Sequence, residues 1–251
     1  MTRPDRSHAA DRTFFALTAL ACVTILAMLV VIVGDVVIGG SKTISWEFVS
    51  KAPEQGMMKG GIFPAIFGTV ALTLLMTVAA VPAGVATAVY LTEYAPQSSP
   101  VARAIRVCIA NLAGVPSIVF GLFGLGFFIS TVGHAIDVAA YSGRSVYGQP
   151  CLLWAALTLA ILTLPVVVVS TEEALRAVPR ELRDASLAVG ATKFQTVIRV
   201  VLPEALGGIL TGSILAVSRG AGEVAPILFT GAAYFLPYLP TKLNDQFMNL
   251  G

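Results

Sequence analysis

The chain has 251 residues, 56% of them hydrophobic and only 12% charged, with a mean hydropathy of +0.84. A soluble domain carries about 25% charged residues, so this chain lacks the polar surface to meet water on all sides. The net charge of +2, with no basic patch interleaved with aromatics, excludes a nucleic-acid footprint. Cys22, Cys108 and Cys151 are far apart and form no CxxC or Cys/His cluster, which excludes a zinc site and a disulfide framework; each reads as a small buried hydrophobe.

At the N-terminus Arg3, Arg6 and Arg12 precede an uncharged run from Thr13 to Gly34. Its 22 residues exceed the length of a cleavable signal segment and continue past Cys22, so it reads as an uncleaved first span after a short tail, residues 1–12. A bilayer core of about 30 Å needs about 20 helical residues. Further runs that meet this are Gly60–Thr92, Val107–Gly133 and Ser145–Thr171. A fifth begins after Pro203 and reaches about Thr230, interrupted by Arg219 and Glu223. Spans of this kind must be helices, because hydrocarbon offers the backbone no partners. The expected fold is therefore an all-α polytopic membrane bundle with five spans.

Pro64 suits a helix entry, and Pro82 predicts a kink or break inside the second run. Gly114, Gly121, Gly124 and Gly126 in the third predict close backbone approach inside the bundle. His134 and Asp137, just beyond that run, read as solvated loop residues. Placing the N-terminus in the cytoplasm puts Arg3, Arg6, Arg12, Arg103, Arg106, Arg176, Arg180, Arg183, Lys193 and Arg199 inside. It leaves Lys42, Lys51, Lys59, Arg144 and Lys242 outside, a bias in the expected direction.

The longest polar segment, about 171–203, separates the fourth and fifth spans. Leu182, Ala185 and Val189 recur on one helical face, with Pro179 in the first turn and Gly190 as a C-terminal stop. Thr192 and Gln195 form the T-x-x-Q capping box of a second helix, on which Phe194, Val197, Ile198 and Val201 make an apolar stripe. Pro203 marks the entry to the fifth span. Such a helical hairpin at the membrane surface is either a docking element or an amphipathic connector.

Asp184-Ala185-Ser186, then Gly190, then nine residues to Val200-Val201-Leu202-Pro203 resembles the "EAA" coupling loop of ABC-importer permeases. Asp replaces Glu, Ser replaces Ala and Val replaces Ile, while the spacing is kept. Four further stretches, Gly61–Thr69, Ala113–Gly124, Thr171–Pro179 and Arg219–Glu223, are similar to the PstA-type permease subunit of the phosphate importer, and the resemblance covers about Thr13 to Pro240. It implies a permease domain over residues 13–251 whose turn at Gly190–Ala191 contacts a separate ATPase dimer. It also implies a second, PstC-type permease subunit, a periplasmic phosphate-binding protein and a multi-pass location in the inner membrane lipid. The family's pattern is six spans, and this chain stops at Gly251, where a sixth would begin.

Arg219 and Glu223, four residues apart and expected on one face of a helix, are the candidate substrate-pathway residues. A charge in mid-span costs about 2.5–3.5 kcal/mol on insertion scales, and the guanidinium fork suits phosphate oxygens. Val224 stands where related chains commonly have Thr. No nucleophile–base set, metal cluster or phosphate-cradling Gly-rich loop occurs, so neither catalysis nor a cofactor is expected here; ATP and magnesium would sit on the ATPase partner. Other readings are a permease for sulfate or molybdate and a membrane subunit that reports phosphate status.

Overall fold

The computed structural model describes residues 5–55, 59–96 and 98–250, with the backbone alone over 5–10. Arg3, counted above among the inner charges, lies outside the described residues, as does the side chain of Arg6. The chain divides into two compact units, residues 1–51 and 52–251.

The first unit is a helical rod and a short cap. Helix α1, Asp5–Ser41, is far longer than a bilayer requires and contains an apolar span at Asp11–Ser41. Helix α2, Trp46–Ser50, starts at Ser45, whose hydroxyl accepts the Phe48 N–H, and carries an exposed Lys51–Glu47 ion pair.

In the second unit a two-stranded antiparallel ribbon, β1 (Pro53–Glu54) and β2 (Lys59–Gly60), leads into helix α3, Phe63–Val89. Helix α3 passes through Pro82 unbroken and ends in a wide π-type turn, Tyr90–Tyr94. Then come α4 (Pro100–Ala113), α5 (Ser117–Phe123), a π-helical stretch Gly124–Gly133 and α6 (His134–Ala140). Helix α7, Leu152–Ala177, is followed by α8 (Arg180–Ala188), α9 (Lys193–Thr196), a π-type turn Val197–Val201 and α10 (Leu202–Ala221). The last helix is α11, Ala225–Thr230. Five helical stretches are long and apolar enough to cross a membrane: Asp11–Ser41, Phe63–Tyr94, Ser117–Ala140, Leu152–Ala177 and Lys193–Ala221.

Helix α7 is the axle of this unit. It packs most extensively on α3 and α10 and is the most buried of the spans. On α3 the buried row Gly68, Leu72, Met76, Ala80, Gly84 and Ala88 repeats every four residues, a single ridge that seats along α7. Gly84 is there because a Cβ would come within 2.6 Å of Val167. In lipid the apolar effect does not hold helices together, so such close contact between small residues is the main attraction. The segment after α11 folds back over the end of the bundle where α3 and α7 begin. Phe247 is fully buried, its N–H bonds Gly231 O, and Leu152 and Leu153 donate to Asp245 O and Leu243 O.

Several boundaries differ from the sequence reading, each for a physical reason. The run Val107–Gly133 is split at Gly114-Val115-Pro116, so α4 is a separate amphipathic helix and the membrane-length helix begins at Ser117. The fourth span begins at Leu152 rather than Ser145, because Asp137 holds residues 146–148 in a loop. It accepts the N–H groups of Val146, Tyr147 and Gly148 at 3.0, 2.8 and 2.7 Å and is itself buried, which overturns its reading as a solvated residue. His134 is exposed, but it opens helix α6 within the span Ser117–Ala140 and is not a loop residue. The fifth span begins at Lys193 and runs through Pro203. The Leu202 N–H reaches back five residues to Val197 O, and this wide turn carries the helix past the proline ring. Of the cysteines only Cys151 is buried.

Candidate functional site

Two places on the second unit concentrate polar groups. The first is the connector between α7 and α10. Its true extent is narrower than 171–203: Thr171–Ala177 belongs to α7 and Lys193 onward to the fifth span, which leaves Val178–Thr192 as the exposed hairpin.

This hairpin is closed at every joint. Gly190 adopts φ +89°, its N–H bonds Leu187 O, and the Ala191 N–H bonds Ser186 O, the paired bonds of a Schellman ending. A Cβ at Gly190 would meet nothing within 4 Å, so the glycine is needed for its backbone angle and not for space. Thr192 and Gln195 form the expected capping box: the Gln195 N–H donates to Thr192 Oγ1 and the Thr192 N–H to Gln195 Oε1 at 2.9 Å. Ser186 and Thr196 join the two helices through their hydroxyls at 2.9 Å. Asp184 and Ala185 are exposed on α8, while Leu202 is half-buried and Pro203 exposed about three turns into the fifth span.

The apolar faces of the hairpin are largely uncovered. No residue of α8 is buried, and Val189 at the tip is 85% exposed. The stripe on the next helix divides: Val197 and Val201 are buried, while Phe194 and Ile198 face outward. Leu187, Val189 and Phe194 therefore form an uncovered apolar tip around the Gly190 turn.

The sequence reading missed what anchors the hairpin. Arg183 donates to Val178 O at 2.6 Å, Leu175 O at 2.8 Å and Glu93 Oε1 at 2.9 Å. One guanidinium thus bonds two carbonyls at the end of α7 and ties α8 to the end of the second span. Arg106 donates to Leu91 O at 2.7 Å, and Glu172 pairs with Arg176 at 2.7 Å and lies 3.5 Å from Arg106 Nε. An arginine just beyond a helix C-terminus was a readable signal; its carboxylate partner ninety residues away in sequence was not.

The second place is a cavity of about 230 Å³ beside Leu162, Pro165 and Val166, at the middle of α7. Two broken helices border it. One break is Gly114-Val115-Pro116 between α4 and α5; the other, Gly222–Val224, separates α10 from α11. Arg219 stands in the last turn of α10 and Glu223 in the break, so the two do not share a continuous helix as expected. They remain within 3.9 Å and both line the cavity, with side chains 60% and 21% exposed. Gly121 and Gly124 on the facing span approach α11 and α7 closely, whereas Gly126 touches nothing within 4 Å. Among the described residues no group of three or more His, Cys, Asp or Glu side chains could hold a metal ion.

Residues 80–248 match the family described as binding-protein-dependent transport system inner membrane component. The chain is 36% identical over 223 residues to the phosphate transport system permease protein PstA of Mycobacterium leprae, covering 89% of this chain and 68% of that protein. It is 35% identical over 220 residues to the "Probable ABC transporter permease protein YqgI" of Bacillus subtilis, covering 88% and 70%. An inward-facing structure of the MetNI methionine ABC transporter superposes with a TM-score of 0.51 at 24% identity, over 63% of this chain and 68% of that one, a likeness of fold alone. A bundle of membrane-length helices carrying a surface hairpin, with matches of this extent, has one reading: the chain belongs to the family of inner membrane components of binding-protein-dependent ABC transport systems.

Proposed function

We propose that this chain is a permease subunit of an ATP-driven importer of inorganic phosphate, with its N-terminus and its hairpin in the cytoplasm. The observation that carries this reading is the hairpin: its tip is apolar and uncovered while its base is locked by Arg183 to the ends of two spans. A loose connector has no use for such bracing. A lever does, because a displacement at Gly190 reaches Glu93 and Leu175 without being absorbed in between. A separate ATPase dimer grips the tip, and its closure on ATP swings the bundle, while a binding protein delivers phosphate at the opposite end to this chain and a second, PstC-type permease subunit.

The orientation agrees with the charges of the second unit. Arg103, Arg106, Arg176, Arg180, Arg183, Lys193 and Arg199 lie at or near the hairpin end, and Lys59, Arg144 and Lys242 at the other. The choice of phosphate rests on the PstA relative and on Arg219, whose fork of donors reaches the mid-bundle cavity; Glu223 beside it keeps the anion from being held too tightly.

The test is uptake of radiolabelled phosphate by cells that supply the partner subunits. Arg219→Gln is expected to lower uptake by roughly 10- to 100-fold, the value of one charge-assisted contact. Ala191→Cys should crosslink to the ATPase in native membranes. Uptake unaffected by Arg219→Gln would overturn the role given to Arg219, and uptake competed equally by sulfate or molybdate would overturn the phosphate assignment; a cysteine at the tip that never captures an ATPase would overturn the coupling.

A further inference from the structure

Four arginines converge on a cleft of about 760 Å³ at the hairpin end of the bundle, a feature separate from both the apolar tip and the mid-bundle cavity. Arg106, Arg176, Arg180 and Arg183 line it together with Glu93 and Asp184. The charges are not balanced within it. Glu93 is engaged by Arg183, and the single carboxylate of Glu172 serves both Arg106 and Arg176. Arg180 has no ion pair among the described residues. Four guanidinium groups therefore line the cleft with two carboxylates, Glu93 and Asp184, and Glu172 pairs with two of them from beside it. Two polar atoms of the wall residues, Thr92 Oγ1 and Arg106 Nε, are buried without a hydrogen-bond partner, so the wall as it stands is incompletely satisfied.

We propose that this cleft binds a phosphate group, held chiefly by Arg176 and Arg180. A tetrahedral anion presents oxygens in several directions and so can bridge guanidinium forks carried by two helices, α7 and α8, where a planar carboxylate meets only one. The cleft lies where the spans end, beside Leu91 and Val178, which is headgroup depth in a bilayer, and basic pockets between helices at that depth take phosphate headgroups. Two sources share this chemistry: an anionic phospholipid and free orthophosphate. The inference rests on the functional reading only for placing the cleft at the cytoplasmic leaflet.

The test uses the assembled transporter in nanodiscs, wild type against Arg176→Gln/Arg180→Gln. In discs of phosphatidylcholine with phosphatidylglycerol, native mass spectrometry counts retained phosphatidylglycerol. In discs of phosphatidylcholine alone, equilibrium binding of radiolabelled orthophosphate is measured. Removing two arginines is expected to lower binding about 30-fold in one arm. A loss in the first arm identifies the headgroup as occupant, and a loss in the second identifies free phosphate. Retention and binding equal in wild type and variant in both arms overturn the proposal. Arg180→Gln alone breaks no ion pair and should show a partial loss, which keeps the test readable if the double variant assembles poorly. Because binding is read without ATP or uptake, a failed cleft with normal uptake refutes this inference alone, and a filled cleft with no phosphate uptake refutes the transport assignment alone.

Discussion

Replacing Arg183 by Met should detach the hairpin from the bundle while leaving the spans in place. The guanidinium that would be lost closes Leu175 O and Val178 O and pairs with Glu93, with the two side chains only 18% and 10% exposed. Removing one partner from a fully buried ion pair costs about 3–5 kcal/mol. Here water reaches the pair in part and can rehydrate the carbonyls, so about 2 kcal/mol is the fitting figure, or roughly 30-fold in an opening equilibrium. Native-state hydrogen exchange reads this directly: amides of α8 should exchange about 30-fold faster, with α7 above Pro165 unchanged. Glu93→Gln alone should do less, since the amide oxygen still accepts. In the double variant the effects should fall short of additive by about 1–2 kcal/mol, because the unpaired carboxylate is gone. Strict additivity, or unchanged exchange in α8, would refute the claim that this pair fastens the lever.

Gly190→Val should open the hairpin by about 1–2 kcal/mol through its positive φ, and Gly190→Asn by clearly less; crosslinking yield at Ala191 measures it, and equal losses for the two would mean that space rather than backbone angle matters. Asp137→Asn weakens the acceptor of three backbone N–H groups, so the loop around residues 141–150 should be cut markedly faster by protease. Asp245 accepts the backbone N–H groups of Lys242 and Thr241, which hold its carboxyl below the usual carboxylate range against the smaller opposing effect of burial. A depressed folded value means that its stabilisation is fully present above the unfolded pKa of about 3.9 and is lost as pH falls through the lower folded value. Residues 241–250 should therefore loosen only in strong acid, and Asp245→Asn should remove that pH dependence of exchange in the segment.

What the sequence made legible followed from local rules. Five apolar stretches, the capping box at Thr192 and Gln195 and the glycine stop at Gly190 depend on neighbours within one or two turns, and all are present. Errors arose where a distant group decided. Ser145–Thr171 looked like one apolar run because nothing local says that a carboxylate at Asp137 will gather residues 146–148 into a loop. Pro203 read as a helix entry because a proline usually is one; the wide turn that carries the helix past it has no sequence signature. The apolar positions of α8 were legible as a periodic face, but periodicity cannot distinguish a face packed on its own bundle from one left open. The Arg183–Glu93 pair, which fixes the hairpin, joins residues ninety positions apart.

On the phosphate-importer reading proposed above, the mid-bundle cavity selects an anion without a deep electrostatic trap. A helix interrupted within hydrocarbon frees backbone groups that must be satisfied or face a wet space, and both breaks here face the same cavity. Their dipoles do not add up to an anion site: α4 and α10 turn C-terminal ends toward it, α5 and α11 N-terminal ends, so the partial charges largely offset each other. The choice of sign then falls to the side chains. Glu223 is the more enclosed of the pair and Arg219 the more exposed, and at 3.9 Å no short hydrogen bond joins them; on the proposed function an incoming anion competes for the exposed guanidinium. Such an arrangement favours transient occupancy, because the carboxylate is ready to reclaim its partner once the anion moves on. That is the balance a transport pathway needs, where a site that held its ion firmly would stop the cycle.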